Sequence, residues 1–294
     1  MKPSFAIVGC GKVGTALAVF LSGAGYKAAG VSSKSLASAK RTAEIIACDR
    51  FSDLPWEITR DADLVFITTP DGAITDTCNT ISRNRGFADN AVVLHCSGAL
   101  PSTILSAAKA CGAYTGSLHP LQSFASADYS TSPFQGIIIS LEGENKAVSV
   151  AQAIAGDLGA TSVTILTEAK TLYHASAVVA SNYLVTLIDL AFNLIGAAGI
   201  KDKNAFAVLK PLIEGTLSNI EKIGIPEALT GPIARGDVET VAKHIEAIGL
   251  KTPRLLDLYK TLGFHTIDVA LAKGTLSESV AQQLKRILAI PGIS

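Results

Sequence analysis

The sequence predicts an α/β fold: an N-terminal Rossmann doubly wound parallel sheet over residues 1–166, then an all-helical C-terminal domain over residues 167–294. Three observations carry this expectation. Up to residue 166, short apolar runs alternate with helical stretches, the pattern of a parallel sheet with helices on both faces. A GxGxxG fingerprint directly follows the first apolar run. After residue 166, strand-like runs stop and helical periodicity takes over.

Taken in order, residues 5–8 read as a strand and 12–22 as a helix. Residues 27–31 and 36–47 repeat the pair. DLVFIT (63–68), AVVLH (91–95), residues 113–118, and GIIISL (136–141) read as further strands, with 163–166 as the last. Thr167 suits an N-cap, and Glu168 suits the positive end of a helix dipole. The helix that begins there can run to Gly196 or Gly199. Segments 202–222, 237–248, 252–272 and 276–288 read as later helices, with Pro226, Pro232 and Pro253 in the connections.

Composition narrows the partners. The 294 residues are 48% hydrophobic and 17% charged, so they can bury a large core; Lys plus Arg and Asp plus Glu balance at 25 each. A neutral chain gives no electrostatic footprint for nucleic acid or an anionic membrane. The five cysteines form no CxxC pair, which argues against a disulfide framework or metal site and for reduced thiols in a cytoplasmic protein. The start, MKPSFAIVGCGKVG, shows no signal-peptide pattern. The run 171–188 has no Asp, Glu, Lys or Arg, but it contains Thr, Tyr, His, Ser and Asn. It is expected to be a buried helix and not a membrane span.

The fingerprint comprises Gly9, Cys10, Gly11, Lys12, Val13 and Gly14. Dinucleotide binding needs a glycine for the tight turn, a second where backbone approaches the pyrophosphate, and a third where helix and strand pack closely. The helix N-terminus supplies amides and a favourable dipole for phosphate. NAD sites usually place Asp or Glu about 20 residues further on. Here the second strand ends in Ser32, Ser33, Lys34 and Ser35. Hydroxyls and an ammonium suit a 2′-phosphate, so NADP is expected over NAD; Ser33 or Ser35 could alternatively cap the next helix.

Ligands of open α/β sheets lie beyond the carboxyl ends of the strands. Those positions hold Thr69, Pro70 and Asp71, then Cys96, Ser97 and Gly98, then His119 and Pro120. His119 is the expected acid–base group, since an imidazole titrates near neutrality. Ser97 could bond a substrate oxygen or simply shape the turn before Gly98. Cys96 reads as a small buried thiol, and His95 as a core histidine. On the long helix, at about 100° per residue, Lys170, His174 and Ser181 form a polar stripe with Asn182 at its margin. The expected site has Ser97 and His119 on one wall and His174 and Asn182 on the other.

The glycine fingerprint, TTPD, HCSGALPS, SLHPLQSF, YHASAVVASNYL and LTGPIARGD together resemble a Rossmann-like family whose helical C-terminal half is a domain of unknown function. It sits in the superfamily of 6-phosphogluconate and β-hydroxyacid dehydrogenases, ketopantoate reductase, pyrroline-5-carboxylate reductase and prephenate dehydrogenase. Prephenate dehydrogenases carry a serine and a His-Pro at the reacting substrate; Ser97 and His119–Pro120 are similar in kind and order. β-Hydroxyacid dehydrogenases use a lysine with an asparagine four residues on, whereas here Lys170 is followed by His174. The leading reading is an NADP-dependent oxidoreductase of a small polar carbonyl, imine or hydroxy compound. The alternative is a nucleotide-binding regulatory protein without turnover. A small-molecule substrate and a homodimer through the apolar helical domain are the expected partners.

Overall fold

The computed structural model describes residues 2–124, 128–200 and 205–290. Its strands are β1 (Ser4–Val8), β2 (Lys27–Ser32), β3 (Phe51–Ser52), β4 (Leu64–Ile67), β5 (Val92–His95), β6 (Tyr114–Pro120), β7 (Ile138–Gly143) and β8 (Thr161–Thr164). They form one sheet in the order β3-β2-β1-β4-β5-β6-β7-β8. The order reverses between β1 and β4, the switch point where open α/β sheets bind ligands.

In the central strands side chains alternate between two buried faces. Phe5, Ile7, Phe66 and Leu94 point to one core, shared with Leu17 and Leu21 of α1 (Lys12–Gly23). Ala6, Val8, Val65, Ile67 and Val93 point to the other. That second core includes Ala29 of β2, and α2 (Leu36–Ile45) and α3 (Trp56–Thr59) lie between β2 and β4 in the chain. It takes Ile74, Cys78 and Ile81 from α4 (Asp71–Arg83) and Ala108 from α5 (Ser106–Ala110). The first core is completed by Ala147, Ala151 and Ile154 of α6 (Asn145–Asp157). A strand buried on both faces reads as a continuous apolar run, which is why these runs were visible.

Two features depart from the expected parallel sheet. β7 runs antiparallel to β6, pairing His119 with Ser140 and Leu118 with Leu141. The connection through residues 121–137 contains no helix among its described residues, and a parallel return would need a crossover of a dozen or more residues, usually helical. β3 has only two residues, too short to leave a hydrophobic pattern.

By compactness the chain divides into Met1–Ala180 and Ser181–Ser294. The long helix spans the division. It starts as the 3-10 turn Thr167–Ala169, becomes α7 (Lys170–Val178), widens into a π-helical segment (Val179–Tyr183) and continues as α8 (Leu184–Ala197). Thr167 is not a side-chain cap: its hydroxyl donates to Glu142 Oε2 at 3.0 Å. The expectation of a buried helix over 171–188 is also corrected. Leu172 is 78% exposed and Val185 68%; apolarity says only that water is unfavourable, not which chain excludes it. By length and composition alone, Thr167–Ala197 would suffice to cross a bilayer.

The second unit continues with α9 (Ala205–Ile223), α10 (Ile225–Ala228), α11 (Val238–Lys251), α12 (Leu256–Ala272) and α13 (Glu278–Leu288). Val241, Ile267, Ala270, Ala281, Leu284 and Leu288 form its core. Asp237 and Ser277 cap α11 and α13 by accepting backbone N–H bonds, as side-chain oxygens at N-caps do.

Candidate active site

The glycine loop between β1 and α1 shows why each glycine is needed. Gly9 sits at φ +115°, where a Cβ would stand 2.7 Å from the Thr68 carbonyl carbon. A Cβ on Gly14 would collide with the Gly9 carbonyl oxygen, so α1 packs against the turn itself. Gly11 is different: a Cβ there would meet nothing within 4 Å. The loop is therefore tight at 9 and 14 and open at 11, the arrangement that leaves backbone approachable by a phosphate. The N-terminus of α1 has no side-chain cap and no acidic residue in its first turn, so its dipole suits an anion. Thr69 adds a buried hydroxyl without a partner. These residues fit a dinucleotide.

At the end of β2, Ser32 is 1% exposed and its carbonyl accepts from Gly9 N at 2.7 Å. Cys10 Sγ donates to the same carbonyl at 3.4 Å, and burial pushes its thiol up. Both residues shape the loop from inside. Ser33 is half-buried and Lys34 exposed. Ser35 caps α2, accepting from Ser38 N at 3.3 Å. Residues 32–35 include no carboxylate.

One to three strand spacings along the same edge from the glycine loop, about 5 to 14 Å, the ends of β4, β5 and β6 bring polar groups together. Ser97 Oγ donates to Asp71 Oδ2 at 2.8 Å and accepts from Ala99 N at 3.2 Å and Leu100 N at 3.0 Å. A hydroxyl has one proton and two lone pairs, so that hydroxyl is fully used in holding the 97–100 turn against α4. His95 Nδ1 accepts from Ser97 N at 3.1 Å, which leaves its proton on Nε2. Burial, then the Lys170 charge, pushes His95 down to about 3. Burial pushes the Cys96 thiol up to about 12, the state of an inert thiol.

Gly98 is the centre of the arrangement. A Cβ there would lie 2.7 Å from His119 Nε2 and 2.7 Å from His174 Nδ1. The two imidazole rings cross at 77°, with centroids 6.2 Å apart. His174 Nδ1 is buried with no partner, while His119 Nδ1 bonds the Tyr173 hydroxyl at 3.1 Å. Burial, then Lys170 and His174, pushes His119 down to about 4, with Asp71 opposing; burial raises the Tyr173 phenol. At neutral pH His119 is thus a neutral imidazole.

The structure brings Ser97, His119 and His174 to one place, around Gly98. Asn182 belongs to the second compact unit, where it is exposed and its carbonyl accepts from Thr186 Oγ1 at 3.4 Å. Tyr173 was missed. Three residues from Lys170 and adjacent to His174, it reads in sequence as one more apolar position. Only the closeness of α7 to β6 shows its hydroxyl to be polar company for His119.

A model for a Rossmann-like domain matches residues 2–120, and one for a domain of unknown function, DUF2520, matches residues 137–266. No curated protein matches the sequence. Among solved structures, the protein BF3122 from Bacteroides fragilis, assigned as an NADP oxidoreductase, is 22% identical with a TM-score of 0.72, covering 90% of this chain and 98% of its own. Protein TM1727 from Thermotoga maritima is 25% identical with a TM-score of 0.68, covering 96% of this chain and 100% of its own. Synechocystis arogenate dehydrogenase is 17% identical with a TM-score of 0.54, covering 97% and 96%. With the fold and both family models in agreement, the chain joins a Rossmann-like domain to a helical DUF2520 domain, the architecture that its motifs resembled.

Proposed function

We propose that this chain is an NADP-dependent oxidoreductase of a small polar carbonyl, imine or hydroxy compound. The observation that carries the reading is the convergence of His119, Tyr173 and His174 around a residue without a side chain, on the same sheet edge as the glycine loop. Gly9, Gly11, Gly14 and Thr69 would hold the dinucleotide, with Ser33 and Lys34 at its adenosine end. A bound nicotinamide supplies or accepts the hydride. The residues of the chain handle the proton. As a neutral imidazole, His119 accepts the proton that a hydroxyl or amine gives up on oxidation. In reduction the step reverses: the ring first takes a proton from solvent and, as an imidazolium, passes it to the substrate atom on which charge develops. Tyr173 orients the ring through Nδ1 and leaves Nε2 facing the Gly98 side. His174 Nδ1, orphaned and buried, offers a second hydrogen bond there, and orphaned buried polar atoms are rare enough to imply a ligand. Ser97 acts one step back, holding the turn that carries Gly98. A screen of keto acids and cyclic imines, read by NADPH oxidation, tests the reading. Turnover of none, with NADPH binding intact, would favour the regulatory alternative.

Cofactor choice is tested separately. NADPH should bind more tightly than NADH, because Lys34 supplies a cation and residues 32–35 lack the carboxylate that would hold a free ribose hydroxyl. Lys34→Glu should reverse much of that preference by like-charge repulsion. Calorimetric titration with both nucleotides decides it, and equal native affinities would remove the NADP assignment.

The exposed apolar face points to a second copy of this chain. Leu172, Val185 and Leu212 are 78, 68 and 69% exposed, and Val179, Tyr183 and Leu217 more than half exposed. Large apolar side chains exposed in such number mark an interaction surface more often than a bare one. A symmetric homodimer through the helices after residue 166 covers it. Light scattering at micromolar concentration should give twice the chain mass; a monomer mass would refute the dimer. We also place the chain in a reducing, cytoplasmic setting, since five cysteines without a CxxC pair suit reduced thiols.

A further inference from the structure

Beneath the histidines lies a charged pair that the proposed chemistry does not use. Lys170 and Glu142 are each 1% exposed, and Lys170 Nζ stands 3.3 Å from Glu142 Oε1. The same ammonium bonds Ser117 Oγ on β6. Glu142, on β7, also accepts from Ser102 N at 2.8 Å, Ser102 Oγ at 2.7 Å and Thr167 Oγ1 at 3.0 Å. Four donors on one buried carboxylate satisfy its charge. The network joins four places: β6 through Ser117, β7 through Glu142, the 3-10 turn Ser102–Leu105, and the first turns of the long helix through Thr167 and Lys170. Ser117 is two residues before His119 on the same strand. Lys170 is three residues before Tyr173 and four before His174, so one helical turn carries both from the anchor to the imidazole.

We propose that the Lys170–Glu142 pair is the positioning element of this site: it locks the start of the long helix onto β6 and β7 so that Tyr173 and His174 close on His119, with Lys170 taking no part in the chemistry. An ammonium held by a carboxylate and a serine, with 1% of its surface exposed, has no path to a substrate. A buried ion pair is weak support for stability as such, since desolvating both charges offsets much of their attraction. Its value here is geometric and electrostatic. Burial pushes the Lys170 ammonium down and Glu142 pulls it back up. The retained charge faces His119 together with His174, while Asp71 of α4 opposes them. Tyr173 contacts the ring from α7, and His95 of β5 lies nearby as a second neutral imidazole. Lys170 is thus the cation that helps keep His119 unprotonated.

The inference deepens the reading of His119 as the proton-handling group, but its test needs neither substrate nor cofactor. Labelled imidazole resonances of His119 should titrate near 4 in the native chain and move up in Lys170→Met, stopping short of the ordinary 6.5 because burial, the larger cause, remains. Lys170→Arg keeps the charge and should keep the midpoint low. Glu142→Gln, close to isosteric, removes the carboxylate that offsets the Lys170 charge and anchors the helix, so amide exchange in residues 170–174 quickens and the His119 midpoint moves off its native value. Amide exchange in residues 170–174 should quicken in Lys170→Met and not in Lys170→Arg. If Lys170→Met does not fold, Glu142→Gln decides alone. A His119 midpoint unmoved in the folded variants, or an Arg variant that behaves like Met, overturns the proposal. Failure to find any substrate would leave these titrations untouched and would count against the enzymatic reading only.

Discussion

His119→Ala should lose turnover by roughly 10²–10⁴-fold, the usual contribution of a positioned acid–base group, while binding NADPH as tightly as the native chain. The two effects separate because they arise at different places on the sheet edge. Phosphate binding belongs to the glycine loop after β1. His119 closes β6, and its partners are Tyr173, His174 and the Gly98 backbone. Removing the ring leaves the Tyr173 hydroxyl without its acceptor or donor but breaks no contact of the glycine loop. Stopped-flow NADPH oxidation with any substrate found by screening, next to calorimetry on the same variant, checks both halves. Undiminished turnover would remove His119 from the mechanism. A parallel loss of nucleotide affinity would show that the ring supports the fold of the whole edge.

The folded chain should lose stability steeply as pH falls from 6.5 to about 4.5. His95 and His119 are held near 3 and 4 in the folded state, against an ordinary 6.5. Above 6.5 both rings are neutral folded or unfolded, and neither contributes a pH dependence. Below it, the unfolded chain takes up protons that the folded one refuses, so the unfolded state gains. By pH 4.5 each ring accounts for roughly 3 kcal/mol, at about 1.4 kcal/mol per unit. Two such terms are a large share of a typical total of about 5–15 kcal/mol. Carboxylates do not confuse this window. Glu144 and Asp157, held below the usual carboxylate range by Thr115 N–H and by Lys2 respectively, lose their contribution only at lower pH. Urea unfolding at pH 7 and 4.5 measures the difference. Equal midpoints would mean that both rings take up protons in the folded protein as readily as in the unfolded one.

How much of this was legible in the sequence depends on the distance over which each feature is written. The strands other than β3 and the 9–14 loop are local patterns, and they stand within about two residues of where the apolar runs and glycines place them. His119 and Ser97 were legible by position, because strand ends collect ligand-binding residues in this class of sheet. The saturation of Ser97 was not, since its proton goes to Asp71, 26 residues earlier. Nor was the role of Glu142: a carboxylate inside an apolar strand shows no partner until Lys170, 28 residues later, folds onto it. The polar stripe illustrates a different failure. Reckoning at about 100° per residue assumes an unbroken α-helix, but Val179–Tyr183 is π-helical. The wider turn shifts the phase, so the face that carries Lys170 and His174 does not extend to Ser181 and Asn182 by simple counting.

Gly98 has an evolutionary corollary. Its missing side chain is what allows two imidazoles to approach one backbone atom from different elements, one from β6 and one from α7. Residues 98, 119 and 174 are therefore not free to vary one at a time. In a homologue with alanine or anything larger at position 98, at least one of the two histidines must be swung away or replaced by a smaller residue. Such lineages would retain the glycine loop and the sheet and still have lost the paired rings. The three positions read together sort descendants of this fold into those equipped for the same proton handling and those that have kept the scaffold for another use.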